Sequence, residues 1–286
     1  MIPENQNVDF KNRVVLVTGA GRGLGRAFAL AFARCGALVA ANDLTPVNLD
    51  ETVRLSTASQ PEVKVSPMPG SVASSGTIRP YLADISNGLA THSLVEQIWQ
   101  DWGRLDILIN NAGVEPYAPI LGMDEWDWQR TLSVNLSGPF LLIQAAGRRM
   151  LDHGGGVIIN IAASNPPAAR ITGRAAFLAS KAGLVALTQA AAHEFFAYNI
   201  SVYAICPGER PVGPRPVQLP TGTNGAWNPN PWDPGQQERT VRLAMFLCAP
   251  LSSNWSVASG PSNAGVLTGQ VFDLSQSPDE EKDEES

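Results

Sequence analysis

The chain is 286 residues long, 44% hydrophobic, with a formal charge of −6; that is enough for one large core or two small ones. Six acids and one lysine in "PDEEKDEES" (278–286) supply −5 of that charge, leaving a near-neutral body that argues against nucleic acid or an anionic membrane as a main partner. Cys35, Cys206 and Cys248 stand far apart, with no CxxC and no His/Cys cluster; this speaks against a disulfide framework or a metal site and for buried thiols in a reducing compartment.

In chain order, "MIPENQNVDFKNR" (1–13) lacks an apolar leader core, and no uninterrupted apolar run is long enough to span a bilayer. The expectation is a soluble, cytoplasmic protein. "VVLVTG" (14–19) reads as a buried strand ending in glycine. In "LGRAFALAFARCG" (24–36), Leu24, Phe28, Ala31 and Phe32 recur at helical spacing until Gly36 stops the helix. "ALVAAND" (37–43) is a second strand. Residues 56–76, rich in Ser and Pro, read as a surface excursion before a strand near 78–84. "DILINNAG" (106–113), "GVIINIAAS" (156–164), "ISVYAICPG" (200–208) and "GQVFDL" (269–274) repeat the pattern of apolar strand and turn. Helical patterns lie near 91–102, 124–131, 138–152, 174–198 and 236–249. Such alternation predicts an α/β fold, a doubly wound, Rossmann-type parallel sheet in a single domain over 1–277. Residues 278–286 read as an acidic, disordered tail. The proline-dense stretch 209–235, with Trp227 and Trp232, is either a substrate lid or a proline-stiffened surface segment.

"TGAGRGLG" (18–25) links the first strand to the first helix. Gly19 allows the turn, and Gly23 and Gly25 let backbone N–H groups and the helix N-terminus approach a pyrophosphate. Asp43 follows Gly25 by 18 residues, at the end of the second strand, where a carboxylate accepts from ribose hydroxyls. A 2′-phosphate would be repelled there, which favours NAD over NADP; Arg22 in the loop keeps NADP open. A glycine turn that binds nothing, with Asp43 as a strand-end cap, is the plain alternative.

The spacing Thr-Gly-x-x-x-Gly-x-Gly resembles that of the short-chain dehydrogenase/reductase family, and matching motifs run along nearly the whole chain. "LADIS", "NNAG", "SVNLSGPF", "FLASK", "CPG" and "LTGQ" are similar to the family's segments. The resemblance implies an NAD-binding alcohol/carbonyl oxidoreductase. Its cofactor contacts would be Gly19, Arg22, Gly23, Leu24, Gly25, Asp43, Asp84, Ile85, Asn111, Ala112, Gly113, Lys181, Pro207 and Gly208. Asn135, Ser164 and Lys181 would be catalytic. Ser164 precedes Phe177 by 13 residues, the family's serine-to-tyrosine interval. The family's proton-donating tyrosine is Phe177 here, and a benzene ring transfers no proton. Counting forward from "IIN" puts Ala163 at the serine place instead. Val212 stands where the family has a threonine and Tyr203 where it has an asparagine.

Together these departures imply a slow or inactive homologue of the oxidoreductases. The alternatives are a pseudoenzyme scaffold that binds the dinucleotide, or an active enzyme with a displaced donor such as Tyr117. Glu115, Glu209 and Arg210 are other candidate cleft residues. His92, His153 and His193 lie at no ligand or triad spacing; His153 sits in a helix-ending turn, where a cation suits the helix dipole. In the family the helices matching 124–152 and 174–198 pair subunits, implying a homodimer or homotetramer.

Overall fold

Five successive buried residues, Val14–Thr18, make β1, closed on both faces as a central parallel strand must be. The computed structural model describes residues 9–57, 76–164, 171–208, 234–249 and 268–274. After β1 come α1 (Gly23–Arg34), β2 (Leu38–Asp43), α2 (Pro46–Thr57), β3 (Thr77–Leu82), α3 (Gly88–Trp102) and β4 (Ile107–Asn110). Then follow α4 (Glu125–Leu132), α5 (Gly138–Asp152), β5 (Gly156–Ile161), α6 (Ala175–Phe195), β6 (Ile200–Cys206), α7 (Pro234–Cys248) and β7 (Val271–Asp273). The sheet runs β3-β2-β1-β4-β5-β6-β7, and every pairing is parallel. Strand order reverses between β1 and β4, the crevice where doubly wound sheets take ligands.

Alternation along each strand divides the core. Val15, Val17, Val39, Ile107, Ile109 and Ile205 face one layer, against Phe28 and Phe32 of α1 and Val241 and Met245 of α7. Val14, Leu16, Leu108, Ile158 and Val202 face the other, against Ile98 of α3 and Leu142 and Met150 of α5. The doubly wound α/β sheet expected from the alternating pattern is therefore the observed one.

Two elements differ from the sequence reading. α2 was not expected, because Leu49 and Thr52 are the only buried residues it contributes and no apolar stripe announces it. The two helices expected over 124–131 and 138–152 are α4 and α5, but their junction was not foreseen: a π-helical turn, Ser133–Ser137, joins them without a break. Most of the expected excursion at 56–76, most of the lid at 209–235 and the acidic tail lie outside the described residues. All three cysteines are free and buried. Ala175–Tyr198 is long and apolar enough to cross a membrane by length and composition, but it lies on the sheet, its buried side holding Ser180, Lys181, Leu184 and Thr188.

Candidate active site

At the crevice, Gly19 (φ 65°) and Gly23 (φ 55°) occupy the left-handed region, which glycine enters without a Cβ penalty. A Cβ on Gly25 would collide with the Gly19 carbonyl oxygen and the Asn111 amide. The turn is thus packed backbone against backbone. Arg22, exposed, caps α1 without a side-chain hydrogen bond, so the first-turn N–H groups, Leu24 and Gly25 among them, are left for an anion. Arg26 braces the turn from behind: its Nε donates to Thr52 Oγ at 3.0 Å and its Nη2 to the Gly21 carbonyl. Burial pulls the Arg26 guanidinium below its ordinary range, with Glu51 and Asp43 opposing.

Asp43 ends β2 facing the same turn. Its Oδ2 accepts from the Gly21 N–H at 3.0 Å and its Oδ1 from the Thr45 N–H at 3.1 Å. Each oxygen keeps acceptor capacity for a ribose hydroxyl. Asn42 donates to the carbonyls of Tyr81 and Ala83, both at 3.1 Å, fixing the chain that leads to Asp84. Asp84 Oδ1 accepts from Ser86 N at 2.9 Å and Ser86 Oγ at 2.6 Å. Burial pushes that carboxyl up, but the Ser86 bonds and Arg130 outweigh it and hold it below the ordinary carboxylate range. Ile85 is buried beside it. Across the crevice, Thr18 Oγ accepts from the N–H groups of Asn111 (3.0 Å) and Ala112 (3.1 Å), and Asn111 Nδ2 donates to the Thr18 carbonyl at 2.9 Å. This clasp brings β4 so close that a Cβ on Gly19 would stand 2.9 Å from Ala112 Cα.

The structure also brings together Gly113, Asn135, Lys181 and Phe177. Asn135 is fully buried in the π turn, a local widening that often marks functional positions. Its Oδ1 accepts from Val114 N at 2.8 Å, and its Nδ2 donates to Val114 O (2.9 Å) and Ser180 Oγ (3.0 Å). A Cβ on Gly113 would stand 3.2 Å from Asn135 Oδ1 and 3.7 Å from Lys181 Nζ. Lys181 Nζ donates to the Ile161 carbonyl at 2.6 Å and lies 5.9 Å from the Phe177 ring centroid. On the same ring, at 5.1 Å, lies the guanidinium of Arg174, whose Nε donates to Glu115 Oε1 at 2.7 Å. Phe177 thus has two cations near its ring and is only 7% exposed. Tyr117 packs its ring over Gly173, where a Cβ would come within 2.6 Å of it.

Ser164 stands apart from this group in what it bonds: its Oγ donates to Asp273 Oδ1 at 2.7 Å. Cys206, in register with Asp273, has its thiol pushed up to about 11, chiefly by burial, with Asp273 adding and Ser164 and Lys181 opposing. Tyr203 is buried in β6, 6.2 Å from Phe272 centroid to centroid. Pro207 is buried and Gly208 has φ 92°. Glu209, Arg210 and Val212 lie outside the described residues. The sequence reading missed Thr18, Arg174 and Asp273. Thr18 was quoted within the glycine motif without a role. Asp273 offers one signal, an acid ending the last strand on the ligand-facing edge. Arg174 offers none by spacing.

With this geometry in view, comparison with known proteins is informative. The model of the short chain dehydrogenase family matches residues 13–211. The D-threitol dehydrogenase of Mycolicibacterium smegmatis is 36% identical over 205 residues, 70% of this chain and 73% of that protein. The 3-oxoacyl-(acyl-carrier-protein) reductase of Thermotoga maritima is 34% identical over 277 residues, 92% of this chain and 96% of that one. The crystal structure of a metagenomic short-chain oxidoreductase in complex with NADP matches with TM-score 0.65 and 27% identity, covering 83% of this chain and 92% of its own.

Proposed function

The chain belongs to the short chain dehydrogenase family, and from that premise we propose that it is a nicotinamide-dinucleotide oxidoreductase for an alcohol/carbonyl couple, slowed by the loss of its phenolic proton donor. The residues present fit the cofactor: a glycine cradle that any Cβ would fill, uncapped helix amides and a carboxylate at the end of β2. Gly19, Gly23 and Gly25 would receive the pyrophosphate, Asp43 the ribose hydroxyls, Asp84 and Ile85 the adenine side, and Lys181 the nicotinamide ribose. Asp43 favours NAD, since a 2′-phosphate beside its carboxylate would be repelled. When bound, the dinucleotide supplies a hydride donor or acceptor.

The observation that carries the slowed reading is the Phe177 ring 5.9 Å from Lys181 Nζ, at the place a family tyrosine would hold. Lys181 is occupied at the Ile161 carbonyl, and Arg174 cannot give up a proton in a protein. A missing positioned acid/base costs ~10²–10⁴ in rate. The test is NADH and NADPH binding by fluorescence, then turnover of D-threitol and (3R)-3-hydroxybutyryl-CoA by wild type and Phe177→Tyr. D-threitol follows from the name of the Mycolicibacterium smegmatis relative, and the second alcohol from that of the (3R)-3-hydroxyacyl-CoA dehydrogenase of Homo sapiens, 36% identical over 200 residues, 69% of this chain and 73% of that protein. We expect NADH to bind and the variant to be ~10²-fold faster or more. A wild type that already turns over near ~10 s⁻¹, the middle of the enzyme range, would remove the impairment.

A second reading, a dinucleotide-binding scaffold, has its own observation. Ile120 (77% exposed), Leu121 (103%) and Trp126 (67%) expose three large apolar side chains within seven residues of chain, more than apolar residues scattered singly would. Binding without turnover in either protein would favour that reading. A groove of about 300 Å³ between α5 and α6, lined by Phe140, Leu151, Phe195 and Tyr198 among others, supports a homodimer or homotetramer, which light scattering would measure. Three free buried thiols fit a reducing, cytoplasmic setting.

A further inference from the structure

Ser164 has one hydroxyl proton, and Asp273 Oδ1 receives it at 2.7 Å. A serine hydroxyl donates once and accepts twice. Toward the cleft, Ser164 therefore offers lone pairs, which receive an alcohol's O–H and give nothing to a carbonyl oxygen. We propose that Ser164 and Asp273 form a proton-accepting pair standing in for the phenol that position 177 lacks; this rests on the oxidoreductase reading above.

The sheet sets the pair in place. β6 and β7 pair with Cys206 opposite Asp273, and Leu274 N donates to Cys206 O at 2.9 Å. β5 ends at Ile161, whose carbonyl holds Lys181, three residues before Ser164. A carboxylate from the last strand thus reaches a serine two strands over, on the edge where such sheets bind ligands. Cys206 from β6 and Lys181 from α6 are titratable groups that act in this cluster. Burial keeps the Cys206 thiol protonated at neutral pH, so it does not compete for the proton.

The dinucleotide, once held by the cradle and Lys181, would supply the hydride acceptor for the alcohol's C–H, and the alcohol's O–H electron pair would become the second carbonyl bond; the chain's own part is the proton. The hydroxyl proton moves to Ser164 Oγ while the proton of Ser164 passes to Asp273 Oδ1. Asp273, exposed at the edge, releases it to water. Ser164 touches the substrate; Asp273 acts through it as a positioning and relay residue.

The test takes whichever of D-threitol and (3R)-3-hydroxybutyryl-CoA turns over faster and measures its oxidation against pH for wild type, Asp273→Asn and Ser164→Ala. The wild-type rate should fall as pH drops and Asp273 takes up a proton. Asp273→Asn should be ~10²-fold slower and lose that acid limb, with melting temperature unchanged. A second readout needs no turnover: carbon-13 NMR of aspartate-labelled protein, with Asp273 assigned by its absence in Asp273→Asn. Its titration midpoint should rise in Ser164→Ala, because the carboxylate loses a donor that favours its charged form. Unchanged rates and limb in Asp273→Asn, or an unmoved midpoint in Ser164→Ala, overturn the pair. Turnover by Phe177→Tyr but none by wild type overturns the pair and leaves the oxidoreductase reading standing. Failure to bind either dinucleotide removes that reading itself, and an unmoved midpoint would then overturn the pair as well.

Discussion

The glycine turn after β1 and the start of α6 share one edge of one sheet, but they are held by different materials. The turn is held by backbone: two left-handed glycines, a Gly25 with no room for a Cβ, and a threonine hydroxyl that receives two amides from β4. The start of α6 is held by side-chain charge: Lys181 on a carbonyl, Arg174 on Glu115, and an aromatic ring near both. A backbone cradle outlasts most side-chain changes around it. A proton-handling site can depend on one oxygen atom, and one substitution removes it. Binding and chemistry can therefore part company within a single fold, because only interactions realised in the transition state set the rate.

The strongest way to break this contrast is Gly25→Ala. The added methyl would enter the Gly19 carbonyl oxygen and the Asn111 amide, so the turn must open. NADH affinity should fall ~10²-fold or more, equivalent to about 2.7 kcal/mol, in a fluorescence titration. Gly122→Ala is the control, since nothing lies within 4 Å of its Cβ position. Equal affinities in the two variants would mean that the cradle is not backbone-built.

The same contrast explains what could be read from the residues in advance. The sheet was legible because its central strands β1 and β4 are buried on both faces and spell continuous apolar runs. The glycine turn was legible because it is local: its requirements fall within eight consecutive residues. α2 was not legible, since a helix burying only Leu49 and Thr52 leaves no stripe. Ser164 could be placed only by counting, and two counts disagreed by one residue. Its partner Asp273 is 109 residues away, joined by sheet register that no spacing encodes. Arg174 lies one turn from Phe177 but takes its meaning from Glu115 in another loop. The contacts proposed to handle the proton are long-range, whereas those proposed to take the nucleotide begin locally.

The opposite edge of the sheet sharpens the comparison, because it carries a buried cluster of ion pairs on Asp106. Asp106, with its side chain 5% exposed, accepts from Arg13 Nη1, Val14 N and Arg104 Nε, each at 2.8 Å. His153, ending α5, turns Nε2 toward the same carboxylate at 3.9 Å. Burial pushes the Asp106 carboxyl up, yet the bonds from Arg104, Val14 and Arg13 win and hold it below its ordinary range. A carboxyl lowered in the folded state adds stability above the unfolded pKa of ~3.9, lost as pH falls through the folded value. Asp106→Asn should cost ~2 kcal/mol at pH 7 and flatten the loss of melting temperature below pH ~4, with NADH affinity unchanged. A parallel fall in NADH affinity would show that the two edges are coupled.

The smallest effect expected is at Asp43, and it separates two roles open to its carboxylate. Its Oδ2 accepts from Gly21 N and its Oδ1 from Thr45 N, so part of its work is to prop the glycine turn. Asparagine keeps one acceptor oxygen and removes the charge. If the carboxylate chooses the cofactor by repelling a 2′-phosphate, Asp43→Asn should weaken NADH ~10-fold, about 1.4 kcal/mol, and strengthen NADPH. If it only props the turn, both affinities should fall by the same factor, since the pyrophosphate cradle is common to both. An equal fall would place cofactor choice elsewhere, with exposed Arg22 at the mouth of the turn as the next group to substitute.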